Sequence, residues 1–136
     1  MITIKKVKQQ DEWKQILKRE FHVQDSLEDP FRTCFGCYDD ENMIGLIDYS
    51  SLYDHADLNY IWIDPSYRRH KMGTRLVAKM NQDLNKHGIF RVTLEVNETN
   101  REALSFYEYL GFRKEAVRKN YYRENNGILM VLELGE

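Results

Sequence analysis

No apolar run in the chain approaches the roughly 20 residues that a membrane-spanning helix needs. The opening residues, MITIKKVKQQDEW, turn polar too soon for a secretory leader. A soluble, cytoplasmic protein is the expectation. Only two prolines, Pro30 and Pro65, interrupt the pattern, and no repeat, low-complexity segment or linker-like stretch is present. With 136 residues the chain fits one domain, spanning 1–136. Neither sign of charge dominates: 20 Lys and Arg stand against 22 Asp and Glu, for a net charge of -2. That balance leaves no overall basic field for nucleic acid or an anionic membrane. Any anion site must come from a local cluster.

Cysteine is equally sparse. Cys34 and Cys37 are the only two. Their C-x-x-C spacing suits a redox pair or half a zinc site, but structural zinc needs four ligands and there is no second pair. The surrounding FRTCFGCY reads as a strand, where positions i and i+3 point to opposite faces. Two small strand residues are the expectation. His22, His55 and His87 are scattered in polar contexts with no metal-binding spacing, and no Ser-His-Asp arrangement stands out. No metal is expected.

What is present is periodicity. Hydrophobic residues make up 42% of the chain, enough for a sizeable core. Residues 1–8 alternate as a strand, and Trp13, Ile16, Leu17 and Phe21 give 11–21 a helical stripe. Residues 24–31 read as a loop. A hairpin follows, with strands at 31–38 and 43–51 around a turn at 39–42. Residues 57–64 form another strand, closed by Asp64-Pro65. The period then changes: Met72, Leu76, Val77, Met80 and Leu84 form a helical stripe that Gly88 stops. Residues 89–96 are a strand, with Glu95 on its polar face. Thr99-Asn100-Arg101-Glu102 resembles a capping box and opens a helix that ends at Gly111. A strand from Phe112, a turn at Asn125-Asn126-Gly127 and a final strand at 128–134 complete the order β-α-β-β-β-α-β-α-β-β. This is an α+β class: a mostly antiparallel central sheet flanked by helices, with one β-α-β crossover. Pairing of the last strand along an edge could also join two copies as a homodimer.

Between the strand ending at Asp64 and the helix near Gly73 lies PSYRRHKMGT. A basic run alone is usually a solvated face. Here it sits at a helix N-terminus, where unpaired N–H groups and the helix dipole favour an anion. Arg68, Arg69, His70 and Lys71 add charge beside it, and a pyrophosphate is the natural guest.

The stretch YRRHKMGTRLV resembles the acetyl-coenzyme A signature of the GCN5-related N-acetyltransferase (GNAT) family, R/Q-x-x-G-x-G/A. Arg68 takes its first position and Gly73 its last, while Lys71 replaces the middle glycine. If the backbone needs a positive φ there, a lysine costs on the order of 1 kcal/mol. The resemblance runs from about residue 58 to 134. LNYIWIDPSYRR, LEVNETNREALSFYEYLGF and RKNYY are similar to stretches of the ribosomal-protein N-terminal alanine acetyltransferases within that family.

That resemblance implies a GNAT-type fold, acetyl-CoA as cosubstrate and direct acetyl transfer to a primary amine, either a protein N-terminus or a small molecule. It assigns Ile61, Trp62 and Ile63 to the strand whose amides hold the pantetheine arm and the thioester carbonyl. Arg68, Arg69, His70, Lys71, Met72, Gly73 and Thr74 would hold the diphosphate, and Asn100 the cofactor arm. Tyr107 would protonate the leaving thiolate, or else be an amphipathic core aromatic. Glu95 would be the general base, or else a strand carboxylate paired with Arg91 or Arg113. Tyr121 and Tyr122 would border the acceptor, or else simply pack. The short RENNG turn leaves a small amine open as the acceptor. A non-catalytic acyl-CoA-binding or regulatory module on the same fold is the rival reading, and an RNA-binding role for residues 68–71 fits the acidic balance poorly.

Overall fold

The structure, a computed structural model, describes residues 1–7, 11–23, 29–68 and 70–135, with only the backbone of residues 11 and 12. Its elements are β1 (Ile2–Lys6), α1 (Asp11–Phe21), β2 (Arg32–Asp39), β3 (Asn42–Leu52), β4 (His55–Ile63), α2 (Met72–Lys86), β5 (Arg91–Asn97), α3 (Arg101–Tyr109), β6 (Arg113–Tyr122) and β7 (Asn125–Glu133). The order matches the one expected from periodicity. The expected loop at 24–31 lies mostly outside the described residues.

The seven strands form one sheet in the order β1-β2-β3-β4-β5-β7-β6. Only β4 and β5 run parallel, joined by the crossover through α2. Helix α2 buries Met72, Leu76, Val77, Met80 and Leu84, one apolar stripe at helical spacing. Gly88, at φ 74°, follows its end, and the N–H of Ile89 closes back on the Leu84 carbonyl at 2.9 Å. Tyr49 of β3 is fully buried beneath this helix, and its hydroxyl donates to Asp83 Oδ2 at 2.5 Å. On the other face, Trp13, Ile16 and Leu17 of α1 cover Cys34, Leu46 and Trp62. Cys37 belongs to the α2-side core instead. The two thiols therefore point to opposite faces of β2, as the strand reading required.

Two bulges set which side chains face which helix. Ile44 has no partner between the Tyr38–Met43 and Cys37–Gly45 pairs. Asn59 is likewise extra between the Asp48–Tyr60 and Tyr49–Leu58 pairs. An extra residue reverses the alternation of a strand. Ala56 and Leu58 face the α2 core before the bulge, and Ile61 and Ile63 face it afterwards. Tyr60 and Trp62 are thereby turned toward α1.

Beyond Asp57, β4 leaves β5. The parallel ladder covers only His55–Arg91, Ala56–Val92 and Asp57–Thr93, while β5 stays paired with β7 along its length. Residues 58–63 keep β3 on one side and face an opening on the other.

Three details differ from the sequence reading. The last strand is not an edge, because β6 lies outside it; the outer strands are β1 and β6, and lysines with register shifts blunt the latter. The final turn falls at Arg123-Glu124, since Arg123 adopts φ 63° and Asn125 and Gly127 already pair within the sheet. Asn100, not Thr99, caps α3, accepting from the N–H of Ala103 at 3.1 Å, while Thr99 donates to Asn97. No helix among the described residues is long and apolar enough to cross a membrane.

The Tyr49–Asp83 bond joins sheet to helix inside the core. Tyr49→Phe should lower unfolding stability in urea by about 2 kcal/mol, the usual loss for a buried hydrogen bond to a charged partner.

Candidate active site

The opening beside β4 is continued by the chain that follows it. Asp64 accepts from the N–H and the hydroxyl of Ser66, at 2.9 and 2.7 Å, which holds its carboxyl below the usual range. Tyr67 donates to Asp39 Oδ2 at 2.5 Å and ties the turn to β2, and Arg68 Nε reaches the Ile63 carbonyl at 3.4 Å. Lys71 then adopts the left-handed conformation, φ 60° and ψ 24°, immediately before α2. The position where the motif carries glycine thus requires the positive φ that its sequence pattern suggested. No side chain caps the first turn of α2, so its N–H groups remain available to an anion.

A cavity of about 750 Å3 joins this helix start to the parted strand. Of the residues expected to hold the cofactor, Ile61, Trp62, Ile63, Arg68, Lys71, Met72, Gly73 and Thr74 line it. His70 is exposed and is not part of the lining. Arg69 lies outside the described residues. Asn100 is exposed and spends its carboxamide oxygen on the helix cap, so any further contact falls to its Nδ2 group. Gly73 has a steric reason as well: a Cβ there would meet Phe106 Cζ at 3.0 Å. Phe106 and Tyr109 of α3 and Phe21 of α1 complete the walls. The spacing of the motif gave no signal for these three.

A second cavity, of about 510 Å3, holds Glu95, Arg118, Tyr121 and Tyr122 together with Arg32, Asn59 and Tyr60. Glu95 is 16% exposed. It pairs with neither Arg91 nor Arg113, which bind Glu115 and Glu133. Its partner is Arg118, Nε to Oε1 at 2.9 Å. Burial pushes the Glu95 carboxyl up and Arg118 pulls it back in part. Its Oε2 is buried without a hydrogen bond. Arg118 was legible only in retrospect, four residues before Tyr122 on the same face of β6.

Tyr107 packs between Phe106 and Phe112, ring centres 5.3 and 5.5 Å away. Its phenol is pushed up to about 12, mainly by burial and then by the nearby Tyr122. Burial, Tyr121 and Glu95 raise Tyr122 in turn. Tyr107, Tyr122 and Glu95 therefore share one electrostatic neighbourhood. A phenol with so high a pKa stays protonated at neutral pH and can donate; a half-desolvated carboxylate can accept.

The strand parts beside an uncapped helix start at the first cavity, whereas Glu95 lines the second and Tyr107, expected to act on the cofactor, lines neither. Residues 2–112 match the family model described as the Acetyltransferase (GNAT) family, and the chain belongs to that family. It is similar to the ribosomal protein bS18-alanine N-acetyltransferase of Escherichia coli strain K12, 36% identical over 85 residues, covering 60% of this chain and 57% of that protein. The aligned stretch thus spans little more than half of that relative. Among solved structures, the ribosomal-protein-S18-alanine N-acetyltransferase from Escherichia coli superposes with a TM-score of 0.83 at 24% identity, covering 100% of this chain and 96% of that one. A GNAT family acetyltransferase from Elizabethkingia anophelis with acetyl-CoA bound gives 0.80 at 13% identity, covering 98% of both chains.

The left-handed lysine makes opposing demands. Lys71→Gly should raise thermal stability by roughly 0.5–1 kcal/mol, through relief of the left-handed strain. The same variant should bind acetyl-CoA more weakly by titration calorimetry, because a cation is lost from the cavity where a diphosphate is expected.

Proposed function

We propose that this chain is a single acetyltransferase domain that moves an acetyl group from acetyl-CoA to a primary amine. The observation that carries the reading is the parting of β4 from β5 opposite the uncapped start of α2, in one cavity. The cations Arg68 and Lys71 in the groove and the uncapped N–H groups of α2 support a diphosphate-bearing cosubstrate there. When bound, acetyl-CoA supplies an activated thioester. The amides of Ile61 and Ile63, which alternate with those bonded to β3 and are freed from a ladder with β5, would face the carbonyl oxygen as negative charge develops there. Glu95, with Oε2 turned to no partner, would take the proton from the amine. Tyr107 would hold a proton for the departing sulfur.

The acceptor we place first is the α-amine of a peptide. Its pKa of about 7.7–8.0 leaves roughly a tenth neutral at pH 7, against about 0.04% for a lysine, so a modest carboxylate base suffices. The similarity to a ribosomal protein bS18-alanine N-acetyltransferase supports this choice, and such an acceptor would put the reaction in the cytoplasm. Tyr121 and Tyr122 would border the peptide.

A thiol-release assay against alanine-terminated peptides, lysine peptides and small amines tests the reading; the α-amino peptide should turn over fastest, and no turnover across the panel would overturn it. Tyr107→Phe should lower kcat about a hundredfold, the scale of a lost general acid, with little change in KM for acetyl-CoA. Arg118→Met removes the cation that opposes burial at Glu95. The carboxyl should then titrate higher, and because the ionised form is the active base, the acid limb of kcat/KM should move to higher pH. An unmoved limb would remove Glu95 as the base.

A further inference from the structure

Adjacent side chains of a regular strand point to opposite faces, yet Tyr121 and Tyr122 both line the 510 Å3 cavity. The backbone of β6 explains how. Arg118 pairs with Gly127 and Tyr122 with Asn125, so three residues of β6 stand opposite Asn126 alone. The middle one, Asn120, is left-handed at φ 54°. Asparagine tolerates that conformation better than most residues. Its N–H leaves the ladder and donates to Asn126 Oδ1 at 3.1 Å.

Asn126 is itself gripped by Glu98, at the end of β5. Its N–H donates to Glu98 Oε2 at 2.6 Å, its Nδ2 reaches Oε1 at 3.5 Å, and its carbonyl accepts from the Glu98 N–H at 3.0 Å. Gly127 makes room beside it: a Cβ there would lie 2.9 Å from Tyr121 Cβ. Tyr121 then meets Tyr122 edge-on at 4.9 Å, with the Arg118 guanidinium 5.7 Å from its ring centre. Arg118 is also the residue paired with Glu95.

We infer that Glu98 is a positioning residue for the amine acceptor: through Asn126 it holds the Asn120 bulge that turns both Tyr121 and Tyr122 into the pocket beside Glu95. The word acceptor rests on the acetyltransferase reading; the clamp itself does not. Glu98 is exposed, and exposed polar contacts add little to global stability. Its effect is local, confined to the shape of one wall.

The experiment uses a short alanine-terminated peptide and acetyl-CoA with wild type, Glu98→Ala, Asn120→Val and Asn120→Gly. Glu98→Ala and Asn120→Val should raise the peptide KM about tenfold, the equivalent of one well-placed hydrogen bond, and leave the acetyl-CoA KM unchanged. Asn120→Gly, which accepts a positive φ, should stay near wild type. Amide exchange at Asn120 provides a readout independent of turnover, and should quicken about tenfold in Glu98→Ala as its hydrogen-bonded closure weakens. An unchanged peptide KM, or an equal rise in both KM values, would overturn the positioning role. Unaltered exchange at Asn120 would overturn the clamp. Wild-type protein that acetylates no amine would instead sink the acetyltransferase reading and the acceptor role with it, with exchange still deciding the clamp.

Discussion

Asp48 is fully buried on β3, and the guanidinium of Arg32 lies against it at 3.2 Å. Asn59, the extra residue of β4, donates to Asp48 at 3.4 Å and to Ser50 Oγ at 2.8 Å. A charge taken out of water this completely demands partners, and the partners found here fix a backbone irregularity. The bulge decides that Ile61 and Ile63 face the α2 side and that Tyr60 and Trp62 face α1. It also lies where β4 starts to diverge from β5. The groove, its amide-bearing wall and the access to Glu95 all follow from that divergence.

Much of this architecture was legible in the residues. Each helix announced itself by an apolar stripe, and each strand by alternation or by its bounding turns, because these periods are local and reflect which face meets the core. The uncapped start of α2 was legible too, with the positive φ at Lys71 that the motif's glycine suggested. What escaped was set by distant partners or by unusual backbone. Nothing near Glu95 in sequence identifies Arg118 as its counter-ion; β7 must first bring β6 alongside. The turn at Arg123-Glu124 and the bulge at Asn120 use left-handed residues other than glycine, so the Asn-Asn-Gly triplet drew attention to the wrong positions. The cap on α3 shifted by one residue because Asn100 and Thr99 are both competent, and Thr99 is occupied with Asn97. The bulge at Asn59 left one trace: the alternation of β4 breaks where Tyr60, Ile61, Trp62 and Ile63 run together.

Fold and proposed chemistry share atoms at several points. Gly73 stands in the first turn of α2 and also admits Phe106 of α3, the helix that carries Tyr107. Tyr107 sits in an aromatic cluster whose dryness raises its pKa. The setting that makes this phenol a reluctant acid also keeps it protonated, so a single packing arrangement serves the sheet and the proton. Asn100 does the same on a smaller scale, as its oxygen starts the helix on which Tyr107 stands.

The placement of the two cysteines has a practical side. Burial raises the pKa of both thiols, and the thiolate is the reactive form, so the folded chain should be silent toward alkylating reagents. Cys34 looks into the half of the interior beneath α1, and Cys37 into the half beneath α2. The strand between them thus carries a built-in pair of labels, one for each side of the sheet, and the order in which they become modified on warming would tell which helix peels away first.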